Sequence, residues 1–297
     1  MSESAGIQKS TTGRASAPFF LRSTMTAMDL VASPLAARFA RTLFFRPQRL
    51  RARPVEREVL SRGTRFTLDD EGTQVTGRAW GNGPVIALVH GWNGHLGQMT
   101  PLIEPLTAAG FKVVGFDWPG HGDSAGDAAS LLHASRVLGS MQQLFGPFHG
   151  VVAHSFGAAA TIVASSRGLE AGRLVFHAPV ARLDRYLNEY STAFGFSTRQ
   201  RTAFVDACEA WLEAPFAKFE PIALGPKVER PTLVIHSDDD REVELADVEV
   251  LSKALNAELR TKHSLGHRKS LRDADCIRES VEFLTAGSRV GVGSSTV

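Results

Sequence analysis

Five consecutive apolar residues, Val85-Ile86-Ala87-Leu88-Val89, run straight into His90-Gly91-Trp92. A strand with one face in water alternates apolar and polar side chains; a run with no polar position belongs to a strand covered on both faces. Further strand-like runs fall at Phe111 to Phe116, Gly150 to His154, Arg173 to His177, Thr232 to His236 and Ala257 to Lys262. Helical spacings lie between them: Gln98 to Ala109, stopped by Gly110; Ser130 to Phe145; Phe156 to Arg167, stopped by Gly168; and Leu245 to Leu255, with Cys276 to Leu284 after the last strand. A glycine just past the last helical residue is the expected stop signal. Thr64 to Leu68 and Val75 to Trp80 read as a hairpin joined through Asp69, Asp70 and Gly72. Strands alternating with helices predict a mostly parallel sheet flanked by helices, with an antiparallel hairpin at its start, so the class is α/β.

The rhythm fails once. Residues 180–230 are helical, charged and aromatic in character and contain no strand pattern, which predicts a small helical cap insertion over the carboxyl ends of the strands. The expected plan is an N-terminal extension over 1–53, an α/β domain over 54–286 carrying that insertion, and a disordered tail over 287–297.

Charge and cysteine content exclude several functions. With 33 Lys+Arg against 31 Asp+Glu, the formal net charge of +2 is too small for a protein that works by neutralising many phosphates, so no nucleic-acid partner is expected. Cys208 and Cys276 stand far apart with no CxxC pair, which argues against a disulfide framework or a thiolate zinc site and for a reducing, cytoplasmic location. No apolar run reaches the roughly 18 to 20 residues of a membrane span. The N-terminal stretch is no secretory signal, because Arg22, Asp29 and Pro34 interrupt its apolar part. From Pro34, an amphipathic helix is expected, with Leu35, Phe39, Leu43 and Phe44 on its apolar side, Arg38 and Arg41 on its polar side, and Pro47 ending it. Two roles are open for it: packing on the domain, or peripheral contact with an anionic membrane surface through its arginines.

In open parallel sheets ligands bind beyond the carboxyl ends of the strands, so the residues just after each run carry the functional information. These are His90-Gly91-Trp92, Asp117, Ser155, His177, Asp238-Asp239-Asp240 and His263 to His267. The most specific is Ala153-His154-Ser155-Phe156-Gly157, a variant of G-x-S-x-G between a strand and a helix. Small residues two positions either side let the backbone turn sharply enough to aim Oγ out over the sheet. By itself Ser155 reads equally well as an ordinary helix N-cap. A nucleophilic serine also needs a histidine to take its proton and a carboxylate to hold the histidine, arriving in the order Ser, acid, His. The acid is expected among Asp238, Asp239 and Asp240 after Thr232 to His236, and His267 follows the last strand.

With these residues in place the chain resembles the α/β-hydrolase superfamily, in its esterase, lipase and serine-peptidase-like branch, over roughly Phe66 to Leu284. Four stretches carry the resemblance: His90-Gly91-Trp92; Asp117 to Ser124, which matches the family loop D-x-P-G-H-G-x-S without a gap; Ala153 to Gly157; and Asp240 to Val243 with Gly266-His267. The resemblance implies Ser155 as nucleophile, His267 as general base and acid, and Asp240 as the residue that holds His267, since the family pattern G-x-x-D-x-x-V-P aligns Ser237 with its glycine and Val243 with its valine. Ser237 and Glu244 depart from that pattern, so Asp238 and Asp239 stay open. It further implies an oxyanion hole from the backbone N–H groups of Trp92 and Phe156, a small-molecule acyl substrate (a carboxylic ester first), and no cofactor or metal.

Other residues have structural readings. His90, Gly91, His121, His154 and His177 are expected to shape or pack around the site, and Tyr186, Tyr190, Phe194, Phe196 and Trp211 either line a pocket or form the insertion's own core. His263 and His267 are four apart, yet Gly266 and the absence of a neighbouring acid argue against a helical zinc site. Two rivals remain. A Rossmann-type reductase would use Gly91, Gly94 and Gly97 with Asp117 on a ribose, but the spacing is G-x-x-G-x-x-G. A non-catalytic binding protein would keep the fold and abandon the triad. A dehalogenase or epoxide hydrolase would need an acid at Ser155.

Overall fold

The computed structural model describes residues 33–286. The expected disordered tail over 287–297 and the chain before residue 33 lie outside the described residues.

The chain enters through helix α1 (Ser33–Phe44) and α2 (Pro54–Ser61). Sequence reasoning missed α2, whose start is fixed by Pro54 in its first turn and by the Glu56 carboxylate accepting from the Arg53 backbone N–H at 2.8 Å. The hairpin follows as β1 (Thr64–Asp70) and β2 (Thr73–Trp80), in antiparallel register from Thr64 opposite Ala79 to Asp70 opposite Thr73. Asp69 and Asp70 are therefore part of β1, and the turn is Glu71-Gly72, with φ of 51° and 82°, the left-handed pair that matches the twist of a tight hairpin.

Then come β3 (Val85–Val89), every residue buried, and a 3-10 segment Leu96–Leu102 leading into α3 (Ile103–Ala108). One continuous helix over Gln98 to Ala109 was expected; Pro101 has no N–H to give an α-helical ladder, so the first turns tighten and the α-helix starts after it. The remaining elements are β4 (Lys112–Phe116), α4 (Leu131–Phe145), β5 (Phe148–His154), α5 (Phe156–Ser165) and β6 (Ala171–His177). After β6 the chain leaves the sheet through α6 (Leu183–Phe194), α7 (Thr198–Leu212) and the short α8 (Pro221–Leu224). It returns with β7 (Thr232–Ser237), α9 (Leu245–Ala254), β8 (Glu258–Lys262) and α10 (Ala274–Thr285).

Eight strands form one sheet in the order β1-β2-β4-β3-β5-β6-β7-β8, antiparallel at β1/β2 and β2/β4 and parallel from β4 to β8. Helices cover both faces, which is why β3 and the inner parts of β5 and β6 have no polar position to spare. Cys208 and Cys276 are both free and buried.

α1 departs from expectation in which face it buries. Ala36, Ala37 and Ala40 turn inward against α7, while Leu35 and Phe39 face out at 59% and 40% exposure. Small side chains let two helices approach closely, so the alanine face docks and the larger apolar residues are left outside. The C-terminal end of α1 continues into an aromatic cluster: Phe44 packs edge-on against Tyr190 and Phe204, Phe45 lies 4.4 Å from Trp211, and the Tyr190 hydroxyl donates to the Ala40 carbonyl at 2.9 Å.

Candidate active site

Ser155 ends the turn between β5 and α5 with φ 54° and ψ −122°, a backbone state that a side-chain-bearing residue adopts only when its surroundings impose it. They do so from three sides. The Ser155 N–H donates to the His177 carbonyl, and its own carbonyl accepts from Ala158 and Val180. Gly157 lets α5 close on the end of β3: a Cβ there would sit 2.5 Å from the Val89 oxygen and 2.6 Å from the His90 oxygen. Gly91 has the same office opposite, since its Cβ would meet His154 Nδ1 and Ser155 Cβ at 3.0 Å.

Against the Ser155 side chain lies His267, in the loop after β8. Its Nε2 is 2.9 Å from Ser155 Oγ and its Nδ1 is 2.8 Å from Asp240 Oδ2, in the loop after β7. An ionised carboxylate can only accept, so Nδ1–H donates to Asp240 and leaves Nε2 to accept the hydroxyl proton. All three residues are buried. Burial acts to raise the Asp240 carboxyl, but the hydrogen bond and charge of His267 and the N–H groups of Val243 and Glu242 outweigh it and hold the group below the usual carboxylate range.

The three open aspartates separate by partner. Asp238 faces exposed His263 at 2.5 Å. Asp239 accepts from Ser237 Oγ at 2.6 Å and from the Gly266 N–H at 2.8 Å, which ties the loop carrying His267 to the end of β7. Asp240 alone reaches His267. Ser237, standing where the family pattern has glycine, is thus part of the loop clasp, and its Oγ also accepts from the Leu265 N–H.

The backbone N–H groups of Trp92 and Phe156 donate to no other group among the described residues. Phe156 opens α5 directly after Ser155, where the first amides have no intrahelical acceptor, and Trp92 lines the same cavity as Ser155. The turn that presents Trp92 is held by His90, whose Nε2 accepts from the Trp118 N–H at 3.1 Å, and by His121, whose Nε2 accepts from the Asn93 N–H at 3.2 Å. Asp117 accepts from the Leu96 and Asp123 N–H groups at 2.6 and 2.9 Å. Its carboxylate is spent on its own loops, which removes the ribose-binding role a reductase would need.

Sequence reasoning left two features unseen. His154 Nε2–H donates to the His267 carbonyl at 2.9 Å, so the residue next to the serine holds the backbone of the residue that faces it. Burial first, and then the neighbouring His267, push His154 down to about 3, which keeps it neutral; burial alone takes His177 to about 4. The second is the N-terminal wall of the enclosure, whose roof was expected from the cap insertion. A cavity of about 1400 Å³ reaches Ser155 and His267 and is roofed by Tyr186, Leu187 and Tyr190 of α6. Of the five aromatic residues singled out in the insertion, Tyr186 and Tyr190 line it, whereas Phe194, Phe196 and Trp211 do not and pack in the aromatic cluster. One wall comes from the N-terminal segment, through Leu43, Phe44, Phe45, Arg46, Gln48 and Leu50. Leu43 and Phe44, on the apolar side of the helix expected before Pro47, were the sequence trace of that wall.

A sequence model described as alpha/beta hydrolase family matches residues 86–275. The fold resembles that of a Pyrococcus furiosus esterase (TM-score 0.62, 18% identity, covering 81% of this chain and 96% of that one). It also resembles a bacterial membrane phospholipase A (TM-score 0.60, 17% identity, 90% and 96%) and the thioesterase domain of the curacin biosynthetic pathway (TM-score 0.54, 16% identity, 75% and 98%). No match was found among curated proteins.

Proposed function

This chain belongs to the alpha/beta hydrolase family, and from that premise we propose that it is a serine hydrolase cleaving a carboxylic ester through an acyl-enzyme. The observation that carries the reading is the continuous row Ser155 Oγ, His267 and Asp240, at 2.9 and 2.8 Å, assembled on a serine with positive φ. Names borne by fold neighbours, esterase and phospholipase A, support an ester ahead of other acyl bonds.

In the proposed reaction His267 Nε2 takes the Ser155 proton as Oγ attacks the carbonyl carbon, and the Trp92 and Phe156 N–H groups receive the oxyanion. His267 then gives that proton to the departing alcohol, leaving the acyl group on Ser155. Water, deprotonated by His267, attacks the acyl carbonyl; Ser155 recovers its proton and the acid leaves. Asp240 stays ionised throughout and holds the imidazolium that forms twice per turnover. The apolar and aromatic walls offer room for an acyl chain.

The test is hydrolysis of p-nitrophenyl esters from acetate to palmitate by the wild type and Ser155→Ala, with fluorophosphonate labelling of both. Turnover and labelling that vanish together in the variant support the reading, and the chain-length optimum sizes the pocket. A folded wild type that neither turns over any ester nor takes the label would overturn it in favour of a non-catalytic binding protein.

A further inference from the structure

Six large hydrophobic residues of the described chain stand exposed, and four of them, Leu35, Phe39, Leu50 and Val55, fall in the short stretch that enters the fold; Leu144 and Val250 lie elsewhere. The same stretch, residues 33–55, carries Arg38, Arg41, Arg46, Arg49, Arg51 and Arg53 and no acid. The first carboxylate, Glu56, is buried and bound by Arg53. Arg49 is committed to the carbonyls of Gly122, Ser124 and Gly126, but the guanidinium groups of exposed Arg38, Arg46 and Arg51 have no partner among the described residues. Leu35, Phe39 and Leu43 recur at intervals of four along α1, the first two outside and the third lining the cavity. Arg46 and Leu50 are both exposed and line that cavity, so it reaches the surface at this segment.

From this arrangement we propose that the outer face of α1 with the segment to Val55 docks on an anionic lipid bilayer, and that the cavity opens toward the docked lipid. Leu35 and Phe39 enter the boundary between headgroups and acyl chains, while Arg38, Arg46 and Arg51 extend their stems along it and place their charges at the phosphates. A neutral apolar partner leaves those cations uncompensated, whereas a lipid surface with net negative charge answers both halves of the face at once. Docking this face does not depend on Ser155, so it can be tested apart from the hydrolase reading.

The test is co-sedimentation of the full chain with vesicles of phosphatidylcholine alone and with about 30 mol % phosphatidylglycerol, at low and high salt. Wild type should bind the anionic vesicles at least tenfold more tightly than the neutral ones and lose most of that advantage at high salt. The double variant Leu35→Glu/Phe39→Glu should lose at least tenfold, with hydrolysis of p-nitrophenyl acetate and melting temperature unchanged, because both residues lie on the outside away from the cavity. Val250→Glu, at an exposed apolar position on another face, should bind as wild type, and Ser155→Ala likewise. No preference for anionic vesicles, or an equal loss in Val250→Glu, overturns the proposal. So does sedimentation of the free protein as a dimer that Leu35→Glu/Phe39→Glu dissociates, which assigns the face to a second copy.

Discussion

The floor and the roof of the cavity are built by opposite means. The floor is made at the carboxyl ends of the strands, where Ser155, Asp240 and His267 are each fixed by several hydrogen bonds and backbone geometry leaves no freedom. The roof and the wall beside it are made of α6, α7 and the segment from Leu43 to Leu50, which meet through ring-on-ring contacts such as Phe44 with Tyr190 and Phe45 with Trp211. Directional bonds hold atoms to tenths of an ångström; aromatic packing fills space and tolerates exchange of one ring for another. On the proposed reading the difference gives bond-making to the floor and substrate selection to the roof, and that division can be attacked from either side.

The largest effect should come from Asp240→Asn. The amide can present its NH₂ to His267 Nδ1 and so favour the wrong tautomer, and kcat on p-nitrophenyl acetate should fall by about 10⁴-fold with the melting temperature little changed. A fall of less than tenfold would mean that Asp240 does not orient His267.

Acid should strike the floor next. His121, His154 and His177 lie buried and neutral beneath the site, and burial lowers them from 6.5 to about 4, 3 and 4. The unfolded chain takes up these protons below about pH 6.5 and the folded chain does not, so stability is full above 6.5 and falls as the pH drops toward 4. While all three remain unprotonated in the fold, the slope approaches about 4 kcal/mol per pH unit, from about 1.4 for each. Residues 33–53 and 180–230 contain no histidine, so the roof has no such sensitivity. Denaturant titrations at several pH values check this, and a stability independent of pH between 7 and 5 would contradict it.

Phe45→Ala attacks the roof. Loss of a buried ring from the aromatic cluster should cost about 3 kcal/mol of stability and lower kcat/KM for long-chain esters well below that for acetate. An equal loss on every chain length would tie Phe45 to the chemistry instead. The smallest effect joins the two regions: Arg49→Ala removes three hydrogen bonds to loop carbonyls and should cost about 1 kcal/mol, given their exposure, with little change in kcat.

The same division governs what could be read in advance. Val85–Val89 was legible to the residue, and β5, β6 and β7 to within two residues at either end, because the middle of a strand buried on both faces is an unbroken apolar run and polar residues fall only toward its ends. Ser155, His267 and the group of three aspartates were legible because the elbow and the loops after β7 and β8 are short-range events written in neighbouring residues. Choosing Asp240 by geometry needed the register of β7 on β8, a long-range fact. The roof was legible only as helical and aromatic. Which face of α1 docks on the domain depends on how closely α7 can approach, and the periodicity of Leu35, Phe39 and Leu43 did not show it because alanines, not large residues, make that contact.

The sheet order has a further consequence, for the time course of assembly. Ser155 follows β5, a central strand, and His267 follows β8, the outermost strand at the far edge, 112 residues later in the chain. Parallel pairing between distant segments closes large loops and comes late. On dilution from denaturant, helical circular dichroism should therefore return before any turnover the proposed triad supports, because Ser155 and His267 meet only once β8 has joined the edge. If the proposed reading holds, the catalytic rate is a clock that starts only when folding has finished.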